Sequence, residues 1–172
     1  KIYKIYSTDD LRKNADANGY YEIDNVSKDT RYIYISLPAE YEVPTNEFGQ
    51  PCFYKSYPEG GDRYDFTLTP LKGGKEKKFA LFTFADPQVS KDSALNRLNT
   101  ESIPAIYNHG NTLKADGIPC YGITLGDIIS NSNSNNTGAY RDDMRDAFSI
   151  TKTGLPVFQV MGNHDNTFCN SN

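Results

Sequence analysis

Up to about Pro70 the chain alternates hydrophobic and polar positions one by one. In "RYIYISLP", Tyr32, Tyr34 and Ser36 take turns with Ile33, Ile35 and Leu37, the period of two that a half-buried strand imposes. "RYDFTLTP" repeats the pattern with Tyr64, Phe66 and Leu68 on one face. "IYKIYS", "GYYEI" and "CFYKSY" are three more short runs of β-forming residues. Turn signals separate them: "DANG", "VPTNEFGQP" and "PEGGD". Short strands at this spacing predict a small antiparallel β-sandwich.

At "LKGGKEKK" a glycine pair runs into a block of charge, which reads as a linker between a domain over 1–72 and a second over 78–172. Past it the alternation gives way to longer apolar runs. "KFALFTFA" is nearly continuous, the pattern of a strand buried on both faces of a parallel sheet. A helix is predicted from a Ser90 cap through Ala94, Leu95, Leu98 and Ile103, then a strand in "YGITLG" and a polar loop in "NSNSNNTG". A second helix sets Tyr140, Met144 and Phe148 four apart on one face and stops near Gly154, before a third strand in "PVFQVM". Strand, helix, strand, helix, strand predicts right-handed βαβ units. The expected class is therefore α+β with two domains: a small antiparallel β-sandwich, then a βαβαβ portion.

Composition narrows the picture only a little. The 172 residues suffice for one domain or two small ones, and 37% hydrophobic with 13% aromatic residues can fill a core. A net charge of −4 gives no electrostatic case for a nucleic-acid surface. No run approaches the roughly 18 apolar residues of a membrane span, and no signal-peptide core opens the chain. Cys52, Cys120 and Cys169 are too far apart for a zinc pattern and odd in number, so they read as free thiols. "NVS" at Asn25 and "NNT" at Asn135 match the glycosylation sequon, a short match that arises by accident.

The candidate chemistry sits where the three apolar strands end. The first ends in "ADPQ", with Asp86 and Gln88; the second in "GDIIS", with Asp127; the third in "GNHD", with Asn163, His164 and Asp165. In open α/β sheets, ligands bind outside the carboxyl ends of the strands, so three polar ends in register converge on one crevice. Two carboxylates and two side-chain amides are hard oxygen donors suited to Mn, Mg or Fe, and imidazole extends the choice to Zn or Ni. Paired divalent ions are a common device for phosphoester hydrolysis. His109, in "YNHGNT", reads as a helix-end or loop residue without a site role.

"ADPQ", "LGDII" and "MGNHD", in this order, resemble the first three motifs of the calcineurin-like metallophosphoesterases: Asp-x-His, Gly-Asp and Gly-Asn-His-Asp/Glu. The likeness covers 78–166. "ANGYYEI", "IYISLPAEYEVP" and "YDFTLTP" resemble the small transthyretin- or Ig-like sandwich that precedes the catalytic domain in some bacterial members. The resemblance implies two divalent metal ions, with Asp86 on the first, Asp127 bridging both and Asn163 on the second. His164 would protonate the leaving oxygen, and Asp165 would fix the tautomer of His164. Gln88 stands where the usual motif has a metal-binding histidine. The family's two later histidine motifs are absent up to Asn172, so the remaining ligands are expected outside this chain and the segment alone should be a poor phosphatase. The resemblance further implies a phosphoester substrate and an exported location, periplasmic or at the cell surface. A rival reading makes the sandwich a binding module for a cell-surface glycan or a protein partner. Oligomeric state is not legible.

Overall fold

The computed structural model describes residues 4–7, 11–59, 61–130 and 139–165. The loop "NSNSNNT", the sequon at Asn135 and Cys169 lie outside the described residues. The chain divides into two compact units: Lys1–Pro44 with Cys52–Glu76, and Thr45–Pro51 with Lys77–Asn172. The second unit thus takes in a seven-residue loop, Thr45–Pro51, that the alternation pattern does not set apart.

In the first unit, β1 (Lys4–Ser7), β2 (Arg12–Asn14), β3 (Tyr32–Ser36) and β4 (Tyr54–Ser56) form one antiparallel sheet in the order β2-β1-β3-β4. The register Ile5↔Ile35 puts the isoleucines of the central strands on one face, while Tyr6↔Tyr34 stack on the other with ring centroids 5.2 Å apart. Ile5, Ala15 and Ile33 form the buried core, covered by Tyr21, Ile23, Tyr57, Tyr64 and Phe66. Two expected strands are corrected here. "GYYEI" and "RYDFTLTP" carry no sheet ladder among the described residues, although Tyr64, Phe66 and Leu68 are half-buried between exposed neighbours as the alternation requires. They act as an extended cover over a single sheet. A groove of about 960 Å³ opens between them, lined in part by Tyr20, Tyr21, Tyr57 and Tyr64.

In the second unit, β5 (Ala80–Phe84), β6 (Cys120–Thr124) and β7 (Val157–Phe158) form a parallel sheet in the order β5-β6-β7. The helices are α1 (Asp92–Arg97), α2 (Ile103–Ala115), α3 (Ala139–Ala147) and α4 (Ile150–Thr153). Ile103, Met144, Phe148, Leu155 and Val157 lie in the core, against which Ala80, Phe82 and Phe84 of β5 pack. The expectation that the first strand is buried on both faces is not met. Phe79 and Leu81 remain 59% and 52% exposed, because the core packs against the opposite face of the strand.

The first helix starts at Asp92 with Lys91 as its cap residue and no side-chain cap, so Ser90 does not perform that role. Between α1 and α2 the chain widens into a π-helical turn, Leu98–Ser102. Pro104 explains it: the ring has no N–H to offer and crowds the carbonyl four residues back. The second predicted helix is split. Ser149 adopts an extended conformation, and α4 restarts at Ile150, whose N–H donates to the Gly49 carbonyl at 2.8 Å. Gly154 ends α4 at φ 74, the left-handed stop that glycine favours. No helix among the described residues is long and apolar enough to cross a membrane.

Candidate active site

Parallel strands in one sheet deliver their carboxyl ends to the same edge, so the three motif-bearing ends are neighbours. The loops beyond them stay paired. Leu125 N–H donates to Phe84 O at 2.9 Å, and Gln88 N–H donates to Asp127 O at 2.9 Å. Val89 forms a parallel bridge with Ile129. Fully buried Thr124 ties β6 to the β7 end, its Oγ1 accepting the Val160 N–H at 2.9 Å. This brings Gln88 beside Asp127, with Asp86 two residues upstream.

Only four non-glycine residues among those described have positive φ: Asn25, Asp86 (φ 45), Gln88 (φ 41) and Asp127 (φ 47). Three of the four are predicted metal ligands. Left-handed backbone at such residues costs on the order of 1–3 kcal/mol each and persists where the surroundings over-determine it, which is typical of functional sites. Asp tolerates this region through its short polar side chain; Gln has no such excuse.

The glycines of the motifs have a steric purpose that the motif reading passed over. A Cβ on Gly162 would lie 2.1 Å from Asp127 Oδ1 and 2.3 Å from the Asp127 N. A Cβ on Gly126, itself at φ +90, would lie 2.8 Å from the Gly162 Cα. The two loops therefore meet backbone to backbone, which only hydrogen at both positions permits. Within that contact the His164 N–H donates to Asp127 Oδ1 at 2.9 Å. Asp86, Gln88 and Asn163 are exposed, while Asp127 and His164 are half-buried.

Asp165 has a part in the loops that the motif does not announce. It is 1% exposed, and its carboxylate accepts three backbone N–H groups: Gly162 at 2.8 Å, Ile128 at 3.2 Å and Ile129 at 3.1 Å. Both oxygens accept main-chain amides, so Asp165 ties the two loops together. A mostly apolar hollow of about 200 Å³ adjoins it, lined by Ile128, Ile129, Met144 and Met161 with Arg141 and Gln159.

No group of three or more His, Cys, Asp or Glu among the described residues is gathered as a metal cluster. Of the four predicted ligands only Asp86 and Asp127 are carboxylates; Gln88 and Asn163 offer amide oxygens. Compared with known families, residues 12–71 match the family model for the N-terminal domain of calcineurin-like phosphoesterase. Over that stretch the chain is similar to this N-terminal domain. No curated protein and no solved structure matches it. The matched segment does not overlap the strand-end motifs, so the two likenesses rest on different parts of the sequence.

Proposed function

We propose that the strand-end loops form part of a metal-dependent phosphoesterase site. Asp86, Gln88, Asp127 and Asn163 present oxygen donors to divalent cations, and His164 acts on the leaving group. The observation that carries this reading is the left-handed backbone at Asp86, Gln88 and Asp127, on adjacent strand ends of one parallel sheet. The donor set fits the group: hard oxygens on exposed or half-exposed side chains suit Mn, Mg or Fe. When bound, such ions supply charge neutralisation at phosphoryl oxygens and a water of lowered pKa. Two ions need more donors than four side chains offer; water, substrate oxygens or further protein groups fill the remaining positions.

The chain's own residues divide the work. Asp127 is held at its backbone by the loop pairing and at its side chain by the His164 amide, which keeps its carboxylate at the edge of the sheet. That same hydrogen bond fixes the main chain at His164 beside Asp127. A protonated imidazole there donates to the departing oxygen, and a neutral one awaits the next proton.

Mn²⁺ titration of the isotopically labelled chain tests the reading through paramagnetic broadening. The amides of Gln88, Asp127 and His164 should broaden first. Asp127→Asn should abolish this selective broadening, while His164→Ala should preserve it. Broadening spread evenly over surface carboxylates, or unchanged in Asp127→Asn, would sink the proposed site.

A further inference from the structure

Ile128 and Ile129 follow Asp127, are both buried, and point consecutive N–H groups at one carboxylate, that of Asp165. Successive amides after a left-handed residue form a concavity that binds an anion. Here the anion is built into the protein. We propose that Asp165 is a positioning residue for Asp127: its carboxylate holds the loop in the left-handed turn and so sets the affinity of the strand-end site for a divalent cation before any cation arrives. This inference rests on the reading of Asp127 as a ligand.

Several bonds pass through the same few residues. Asp165 grips the main chain after Asp127, while the preceding residue, His164, grips the Asp127 side chain through its own N–H. The carbonyls of Asp127 and Ile128 in turn receive the N–H groups of Gln88 and Val89, at 2.9 and 3.3 Å. Asp165 thereby supports Asp127 directly and Gln88 at one remove. The third bond, from Gly162, closes the turn that carries Asn163 and His164. An amide in place of the carboxylate would offer one acceptor oxygen and turn an NH₂ toward at least one of the three donors. The need for a carboxylate thus follows from the hydrogen-bond inventory.

The competing explanation is a general contribution to folding, and a matched control separates the two. Asp165→Asn is compared with Thr124→Val, which removes a buried hydroxyl bonded to Val160 on the same sheet edge without touching 127–129. Amide hydrogen exchange is read in the metal-free chain, and Mn²⁺ affinity is read by titration. In Asp165→Asn the amides of Ile128 and Ile129 should lose protection and Mn²⁺ should bind about 10–100-fold more weakly, the usual effect of losing a partner behind a ligand. Thr124→Val should leave Mn²⁺ affinity within about twofold whatever its cost in urea midpoint. If Asp165→Asn does not fold, Asp165→Glu keeps the charge and should retain part of both the protection and the affinity. Equal loss of Mn²⁺ affinity in Thr124→Val, or wild-type affinity in Asp165→Asn, overturns the proposal. Absence of Mn²⁺ binding by the wild type overturns the ligand reading, and unchanged exchange at Ile128 and Ile129 overturns the positioning role on its own.

Discussion

At Gly162 one methyl group decides whether two loops can meet. Gly162→Ala would push Cβ into the backbone nitrogen and side chain of Asp127, neither of which can swing away, since both sit in the paired loop. We expect a loss of about 3 kcal/mol in urea unfolding, the upper range for forcing an atom into a packed site. Gly19→Ala is the matching control: φ is +86 with nothing within 4 Å of the new Cβ, so only the backbone term of about 1–2 kcal/mol applies. Similar losses for the two variants would show that the loop contact yields more easily than its distances imply. At this scale the sequence shows which donor types stand at the strand ends, because those can be read one letter at a time. Why glycine precedes Asp127 and Asn163 was not legible, since it depends on a backbone approach between residues 36 positions apart. The work of Asp165 was hidden for the same reason: its partners are two isoleucine amides, which carry no letter of their own.

Among the elements, period-two alternation proved a statement about burial more than about pairing. Tyr64, Phe66 and Leu68 alternate as a strand would, yet their segment is held by side chains, including the Tyr21 hydroxyl, which donates to the Tyr64 carbonyl. Burial, aided by the charge of Asp65 and by Tyr64, pushes the Tyr21 hydroxyl from 10.0 up to about 12. The folded state therefore holds this proton more tightly than the unfolded chain does. The stabilisation is whole below pH 10 and fades as pH rises through 12. Tyr21→Phe should cost about 1 kcal/mol at pH 8, a typical net hydrogen bond. It should also lose less stability than wild type between pH 10 and 12. Parallel unfolding curves across that range would remove Tyr21 as the source. The second predicted helix broke at Ser149 for a reason outside its own window, since the carbonyl that caps α4 belongs to Gly49.

For the molecule as a whole, the change of pattern near "LKGGKEKK" was visible because a one-residue period and a long apolar run look different in any window. The assignment of Thr45–Pro51 to the second unit was not visible, because turn residues look alike wherever they dock. Three bonds give the loop its place: Gly49 O to the Ile150 N–H, the Gln50 side chain to Arg145 O at 3.5 Å, and the Phe48 ring 4.0 Å beneath the Arg145 guanidinium. A fragment beginning at Lys77 lacks all three. We expect it to be less stable than the same residues in the full chain by about 1–3 kcal/mol, the sum of one or two net hydrogen bonds and an exposed cation–π contact. Exchange at Ile150 should rise accordingly. Equal exchange across 140–153 in fragment and full chain would make the loop a passenger.

The same loop sets a timetable during synthesis. Phe48 and Gly49 leave the ribosome about a hundred residues before Arg145 and Ile150. At ordinary elongation rates that is a delay on the order of 5–20 s. By then the last strand of the first sheet, which ends at Ser56, has long been made. Through that interval the nascent chain carries an aromatic turn whose seat has not been translated. A slow stretch of codons between them would lengthen the exposure, and a chaperone that favours aromatic turns would find its substrate there.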